Sequence, residues 1–230
     1  MTALFYVEKN MELLYMQNQN KYTHVVWDFN GTVLNDVQLG IDCVNEMLKK
    51  RGLPIIPDVN AYRHVFGFPI DRYYRRLGFD FEKEDYDTVL APEWVALYLA
   101  GEASCPVNDG VRETVAAIRE RGLSQIMLSA SNLQQLKGQL ARLELEDAFD
   151  EILGLDNIHA RSKVLLATEW KSRHPDARPL FVGDTEHDAD VAEAIGADCV
   201  LYLGGHQPEE LLRARNKPLI RDIAELLEFL

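Results

Sequence analysis

The chain has 230 residues, 47% hydrophobic, 27% charged and 9% aromatic, enough for one core plus a small inserted unit and too apolar for a disordered chain. Lys and Arg total 24 against 37 Asp and Glu, a formal net charge of −13, so its long-range field disfavours nucleic-acid backbones and anionic membrane surfaces. No apolar run reaches the ~18 residues that span a bilayer, and Cys43, Cys105 and Cys199 have neither metal nor disulfide spacing, which predicts reduced thiols and a cytoplasmic protein.

Residues 1–22 read as an arm of undecided role. They lack the basic start, apolar block and small-residue cleavage site of a secretory signal. Either Met11 or Met16 is the real start, or Leu4, Phe5, Leu13, Leu14 and Tyr15 pack, for example across a subunit boundary.

From His24 the pattern sharpens. A short apolar run, His24-Val25-Val26-Trp27, ends in Asp28 and is followed by the turn pair Asn30-Gly31, which predicts a buried strand delivering a carboxylate to its C-terminal end. No strand is evident from 37 to about 104, where helices are expected over 37–51, 57–65, 70–77 and 82–100. Strands then alternate with amphipathic helices. The helices are expected over 110–121, 133–143, 162–171 and 188–195, and the strands over 125–128, 151–153, 179–182 and 198–202.

This alternation predicts an α/β fold, a Rossmann-like parallel sheet with helices on both faces. Its core takes in 23–36 and 105–230, and 37–104 is an inserted α-helical cap, too long for one crossover. Ligands of open parallel sheets bind beyond the carboxyl ends of the strands, so an insertion after the Asp28 loop becomes a lid over the site.

Carboxylates stand at two strand ends. Asp184 and Asp188, four apart in Gly183-Asp184-Thr185-Glu186-His187-Asp188, can converge with Asp28 on one hard cation of the Mg²⁺ type. Asp188 also suits a helix cap. Ser129 ends the second strand, where its hydroxyl and the next N–H groups could bind phosphate oxygens. Lys163 opens a helix from which its ammonium could reach the carboxylates. Each of these two, taken alone, is equally a turn residue or a solvated lysine.

Taken together and in this order, the segments resemble the four motifs of the haloacid dehalogenase superfamily. Asp28-Phe29-Asn30-Gly31-Thr32-Val33 is similar to its first motif, DxDGT followed by Val or Leu. Ser129 resembles the second motif, Lys163 the third with Arg161 as a fallback, and Gly183 to Asp188 the fourth, GDxxxD. The resemblance covers about 23–230 and includes a helical cap of the phosphoglycolate-phosphatase-like kind. It implies a Mg²⁺-dependent phosphatase acting on a small-molecule phosphate ester, with Asp28 as nucleophile forming an aspartyl-phosphate. It further implies that Asp28, Asp184, Asp188 and the main-chain carbonyl of Asn30 hold the metal. Ser129, Ala130 and Lys163 would hold the transferring oxygens, while Gly31 and Thr32 present N–H groups to them.

Asn30 departs from this pattern. The family's phosphatases carry a second aspartate there as general acid and base, and an amide can neither give nor take that proton. A loss of about 10²–10⁴ in rate is the expected consequence, which Asn30→Asp should recover in part. His187 is a candidate replacement proton carrier. The rival expectation is a catalytically weak phosphate-ligand binding or regulatory protein that keeps the site. In the cap, Arg63, His64, Phe68 and Arg72, followed by Arg75 and Arg76, are candidates for substrate recognition, or else solvated helix faces.

Overall fold

The computed structural model describes residues 21–159 and 162–230. The expectations for 1–20, and for Arg161 as a fallback cation, lie outside the described residues. Six strands form one sheet, β1 (His24–Trp27), β2 (Ser124–Asn132), β3 (Glu151–Leu155), β4 (Pro179–Gly183), β5 (Asp198–Tyr202) and β6 (Leu219–Ile220). Their order is β3-β2-β1-β4-β5-β6, with every neighbouring pair parallel.

The central strands are apolar on both sides because both faces are covered. Val25 and Trp27 of β1 and Leu180 and Val182 of β4 point into one layer, while Val26 and Phe181 point into the other. Helices α5 (Val111–Glu120) and α6 (Leu133–Arg142) contribute Val111, Val115, Ile118, Leu136 and Leu140 to the first layer. Helices α7 (Val164–Arg173), α8 (Glu186–Ala194) and α9 (Glu209–Ala214) supply Ala167, Trp170, Ala189, Ala192 and Leu212 to the second.

Between β1 and α5 the chain makes α1 (Val37–Lys50), α2 (Val59–Val65), α3 (Ile70–Arg76) and α4 (Ala91–Gly101). This insertion has its own core, in which Val37, Ile41, Val44 and Leu48 of α1 meet Tyr62, Tyr73, Tyr74 and Leu90. Its two connections to the sheet run side by side, with Asn35 N donating to Pro106 O and Asn108 N to Val33 O, both at 2.9 Å.

Two local readings are corrected. The single helix expected over 82–100 is divided, with a π-type turn at Tyr86–Leu90 before α4. Pro92 sits in the first turn of α4, directly after the π-type turn. The second strand continues past Ser129 to Asn132, with a register shift against β3 between Leu128 and Asn132, so Ser129 stands in an irregular stretch. Strand β6 and helix α9, with two and six residues, are too short for sequence periodicity to reveal.

The sheet reverses its winding between β1 and β4. Asp28 N donates to Val182 O at 2.9 Å, which sets the carboxyl ends of those two strands side by side. A crevice at such a switch point is where ligands of open α/β sheets bind.

Candidate active site

Beyond β1 and β4, Asp28, Asp184 and Asp188 come together, each offering a carboxylate oxygen within 4.8 Å of the others. Lys163, only 2% exposed at the start of α7, joins them. Its ammonium donates to Asp28 Oδ1 and to Leu128 O at 3.2 Å, and lies 2.7 Å from Asp188 Oδ1. One ammonium therefore meets two of the three buried carboxylates. Burial, with Asp188 and Asp184 beside it, pushes the Asp28 carboxyl well above its ordinary range despite Lys163. Burial likewise raises Asp184, to about 6. Burial works against a charged Asp188 too, but there Lys163 prevails and holds the carboxyl below its usual range.

Asp188 serves two ends at once. Its Oδ2 accepts from Asp184 N at 3.0 Å, Thr185 N at 2.9 Å and Thr185 Oγ1 at 2.7 Å, forming the cap of α8, while Oδ1 faces the lysine. Gly183 permits this approach, since a Cβ there would lie 2.3 Å from Asp188 Cγ. Asp184 is fixed by Thr32 Oγ1 at 3.0 Å and by His206 N at 2.6 Å, both donating.

The oxygen-only donor set and surplus negative charge fit a hard divalent cation. Millimolar Mg²⁺ is expected to raise the melting temperature by several degrees, and Asp184→Asn to remove most of that rise. An unchanged thermal transition would contradict the metal assignment.

Gly31 requires a correction. Its N–H, expected to face phosphate, instead donates to Leu34 O at 2.9 Å and Asp36 Oδ1 at 2.8 Å, because the turn after β1 closes on itself. With φ at +79°, and Asp184 Oδ2 2.5 Å from where a Cβ would stand, the position demands glycine. Thr32 acts here through the hydroxyl that orients Asp184.

The Asn30 amide is fully engaged. Its Nδ2 donates to Asp36 Oδ2 at 2.8 Å and to Tyr98 OH at 2.9 Å, and its Oδ1 accepts from Ser131 Oγ at 2.8 Å. Tyr98 OH donates to Asp36 Oδ2 at 2.7 Å, and His206 Nε2 lies 3.2 Å from Asp36 Oδ1. Tyr62 OH meets the other ring nitrogen of His206 at 2.9 Å. Burial opposes a charge on His206, but Asp36 outweighs it and lifts the imidazole to about 9; His206 in turn keeps Asp36 ionised. Asp36 occupies the N-cap position of α1 without capping it, because its carboxylate is spent on this network. A carboxylate at position 30 would bring no proton to this network, whereas the amide brings one to Asp36 and one to Tyr98. Asp36, Tyr62, Tyr98, Ser131 and His206 are thus site residues that no local sequence motif marks.

A cavity of about 160 Å³ opens between this cluster and the insertion, lined by Asp28, Asn30, Ser129, Ala130, Lys163 and Asp188 among others. Ser129 Oγ accepts from Ser131 N at 3.0 Å. Of the four recognition candidates only Phe68 lines the cavity, where it stacks on His187 with ring centres 4.5 Å apart. Arg63 instead donates to Gly205 O at 2.8 Å and Gly204 O at 2.6 Å, tying α2 to the loop after β5. His64 pairs with Glu210, and Arg72 is exposed on α3.

A model of the family described as haloacid dehalogenase-like hydrolase matches residues 25–202. The chain belongs to that family. Among the relatives of this haloacid dehalogenase-like hydrolase, a phosphoglycolate phosphatase from Pseudomonas putida is 26% identical over 206 residues, covering 86% of this chain and 75% of its own length. The tyrosine-protein kinase PtkA of Mycobacterium tuberculosis is 24% identical over 207 residues, 89% of this chain and 70% of its own. A haloacid dehalogenase-like hydrolase of known structure from Streptococcus pneumoniae superposes with a TM-score of 0.77 at 16% identity, covering 92% of this chain and 99% of its own, and so shares the fold. Among the described residues no helix is long and apolar enough to cross a membrane.

Proposed function

We propose that this hydrolase is a Mg²⁺-dependent phosphatase that cleaves a small-molecule phosphate monoester through an aspartyl-phosphate on Asp28. The observation that carries this reading is the contact of Lys163 with both Asp28 and Asp188 at the floor of the cavity, among three converging carboxylates. Lys163 donates to one Asp28 oxygen and orients the carboxyl, leaving its second oxygen to attack phosphorus in line. Ser129 and Ala130, at the end of the apolar part of β2, line the same cavity and would receive the transferring oxygens. Asp28, Asp184, Asp188 and the carbonyl of Asn30 would hold Mg²⁺, which when bound offsets the repulsion between substrate phosphate and the Asp28 carboxylate.

Asn30 sets the kinetics. With its amide protons given to Asp36 and Tyr98, it offers the leaving oxygen none. Departure then depends on how well that oxygen tolerates negative charge. In a phosphate-release panel with Mg²⁺, aryl and acyl phosphates are expected to turn over about 10²-fold faster than alkyl phosphates. Equal rates across the series would mean that another group, His187 first, supplies the proton. The engaged Asn30 amide also favours one rival, a phosphate-binding or regulatory protein; binding of phosphate with no release from any ester would support it.

A further inference from the structure

We propose that the cavity above Asp28 receives the aromatic ring of an aryl phosphate monoester, and that the Tyr73 hydroxyl meets a polar group on that ring. The proposal rests on the phosphatase reading and names its leaving group.

The walls decide the class. On the insertion side the cavity is faced by Phe66, Phe68, Tyr73, Tyr74, Trp94 and Tyr98. They present both edges and faces: Phe66 meets Tyr73 at 5.3 Å and 65°, Phe68 at 6.0 Å and 83°, and Trp94 stacks on Tyr98 at 4.8 Å. Offset and edge-to-face geometries of this kind are those that a further ring adopts with its neighbours. At about 160 Å³ the space matches apolar cavities that admit a benzene ring.

A carboxylate-bearing leaving group finds no free cation here. Lys163 is shared between Asp28 and Asp188, and His206 is paired with Asp36. Three of the insertion's arginines are turned to other partners, Arg63 to the Gly204 and Gly205 carbonyls, Arg75 4.1 Å over the Phe81 ring and Arg76 to Val65 O, and Arg72 is exposed outside the cavity lining. Among the described residues, no unpaired lysine or arginine lines the cavity.

Tyr73 adds an independent pointer. It is 3% exposed, lines the cavity, and its hydroxyl has no hydrogen-bond partner among the described residues. A buried hydroxyl left unpaired is costly, and a polar substituent on the bound ring would satisfy it.

The chemistry agrees with the walls. An Asp28 oxygen bonds to phosphorus as the bond to the aryl oxygen breaks. The electron pair leaves with that oxygen as a phenolate, which later takes a proton from solvent. Water then attacks the aspartyl-phosphate, releasing inorganic phosphate and restoring Asp28. A phenolate departs without the proton that Asn30 withholds; an alkoxide does not.

Binding of non-hydrolysable phosphonates to the full chain with Mg²⁺, read by calorimetry, separates ring recognition from leaving-group ability. Benzylphosphonate is expected to bind at least about tenfold more tightly than propylphosphonate or phosphonoacetate. One of the ring-hydroxylated benzylphosphonate isomers should gain a further several-fold. Tyr73→Phe, which keeps the ring, should erase that gain, so that the hydroxylated isomer binds the variant no better than benzylphosphonate does. If phosphonoacetate or propylphosphonate binds as well as benzylphosphonate, or no phosphonate exceeds inorganic phosphate, the ring proposal is overturned. Phosphate release from esters in the same preparation then shows whether the phosphatase reading survives it. No gain with any hydroxylated isomer overturns the role given to Tyr73.

Discussion

Asp28→Asn is expected to abolish phosphate release from every ester, a loss on the order of 10⁴-fold or more, while leaving the protein folded. The amide is nearly the same size as the carboxylate, so the packing of Asp28 against Lys163 needs no rearrangement. It is, however, no nucleophile toward phosphorus. The same substitution removes one of three converging buried carboxylates, two of which share the Lys163 ammonium. Burial already raises the Asp28 carboxyl well above its ordinary range, so ionising it costs the folded state free energy. The melting temperature without Mg²⁺ should therefore rise in the variant, and the increment from added Mg²⁺ should shrink. Phosphate release and thermal unfolding measured on one preparation check both. Turnover within tenfold of the parent would remove Asp28 from the mechanism.

Restoring a carboxyl at position 30 is expected to work only in company. Asn30→Asp alone would set a carboxyl oxygen about where Nδ2 now lies, 2.8 Å from Asp36 Oδ2, in a buried pocket. Two carboxylates at that range cannot both be ionised; one must take a proton or the contact must open. A proton shared with Asp36 is not free for the leaving group, so the single variant should be destabilised and gain little in kcat. Asn30→Asp combined with Asp36→Asn reverses the polarity of the pair, with the new amide donating to the new carboxylate. The double variant should gain about 10²-fold in kcat on alkyl phosphates with KM little changed. Because the two positions touch, their effects should be strongly non-additive, which a double-mutant cycle on kcat measures. A full gain from Asn30→Asp alone would show that Asp36 does not constrain position 30.

The sheet was readable because β1 and β4 are short runs apolar on both faces, each ending in an aspartate at a glycine-containing turn. Asp28, Asp184, Asp188 and Lys163 could be singled out for the same reason. Each lies at a strand end or the helix start that follows, where local sequence dictates placement. The Asp36 network was not readable. Asp36 lies 62 residues from Tyr98 and 170 from His206, and they meet only when the insertion folds back over the sheet. Gly31 misled, because DxDGT-like spacing says nothing about which acceptor its N–H finds, and here Asp36 and Leu34 O take it. The cap arginines were attractive by charge alone, and the structure turns Arg63 to the Gly204 and Gly205 carbonyls.

The central claim is that Asp28 carries the phosphoryl group. An amide at position 30 cannot activate water, so hydrolysis of the aspartyl-phosphate should lag behind its formation. Acid-quenching the full chain with Mg²⁺ during turnover of an aryl phosphate, then mapping by mass spectrometry, tests this directly. A phosphoryl adduct on the peptide bearing Asp28, lost in Asp28→Asn, is the expected result. Steady phosphate release with no adduct at Asp28, or an adduct that persists in Asp28→Asn, would contradict it.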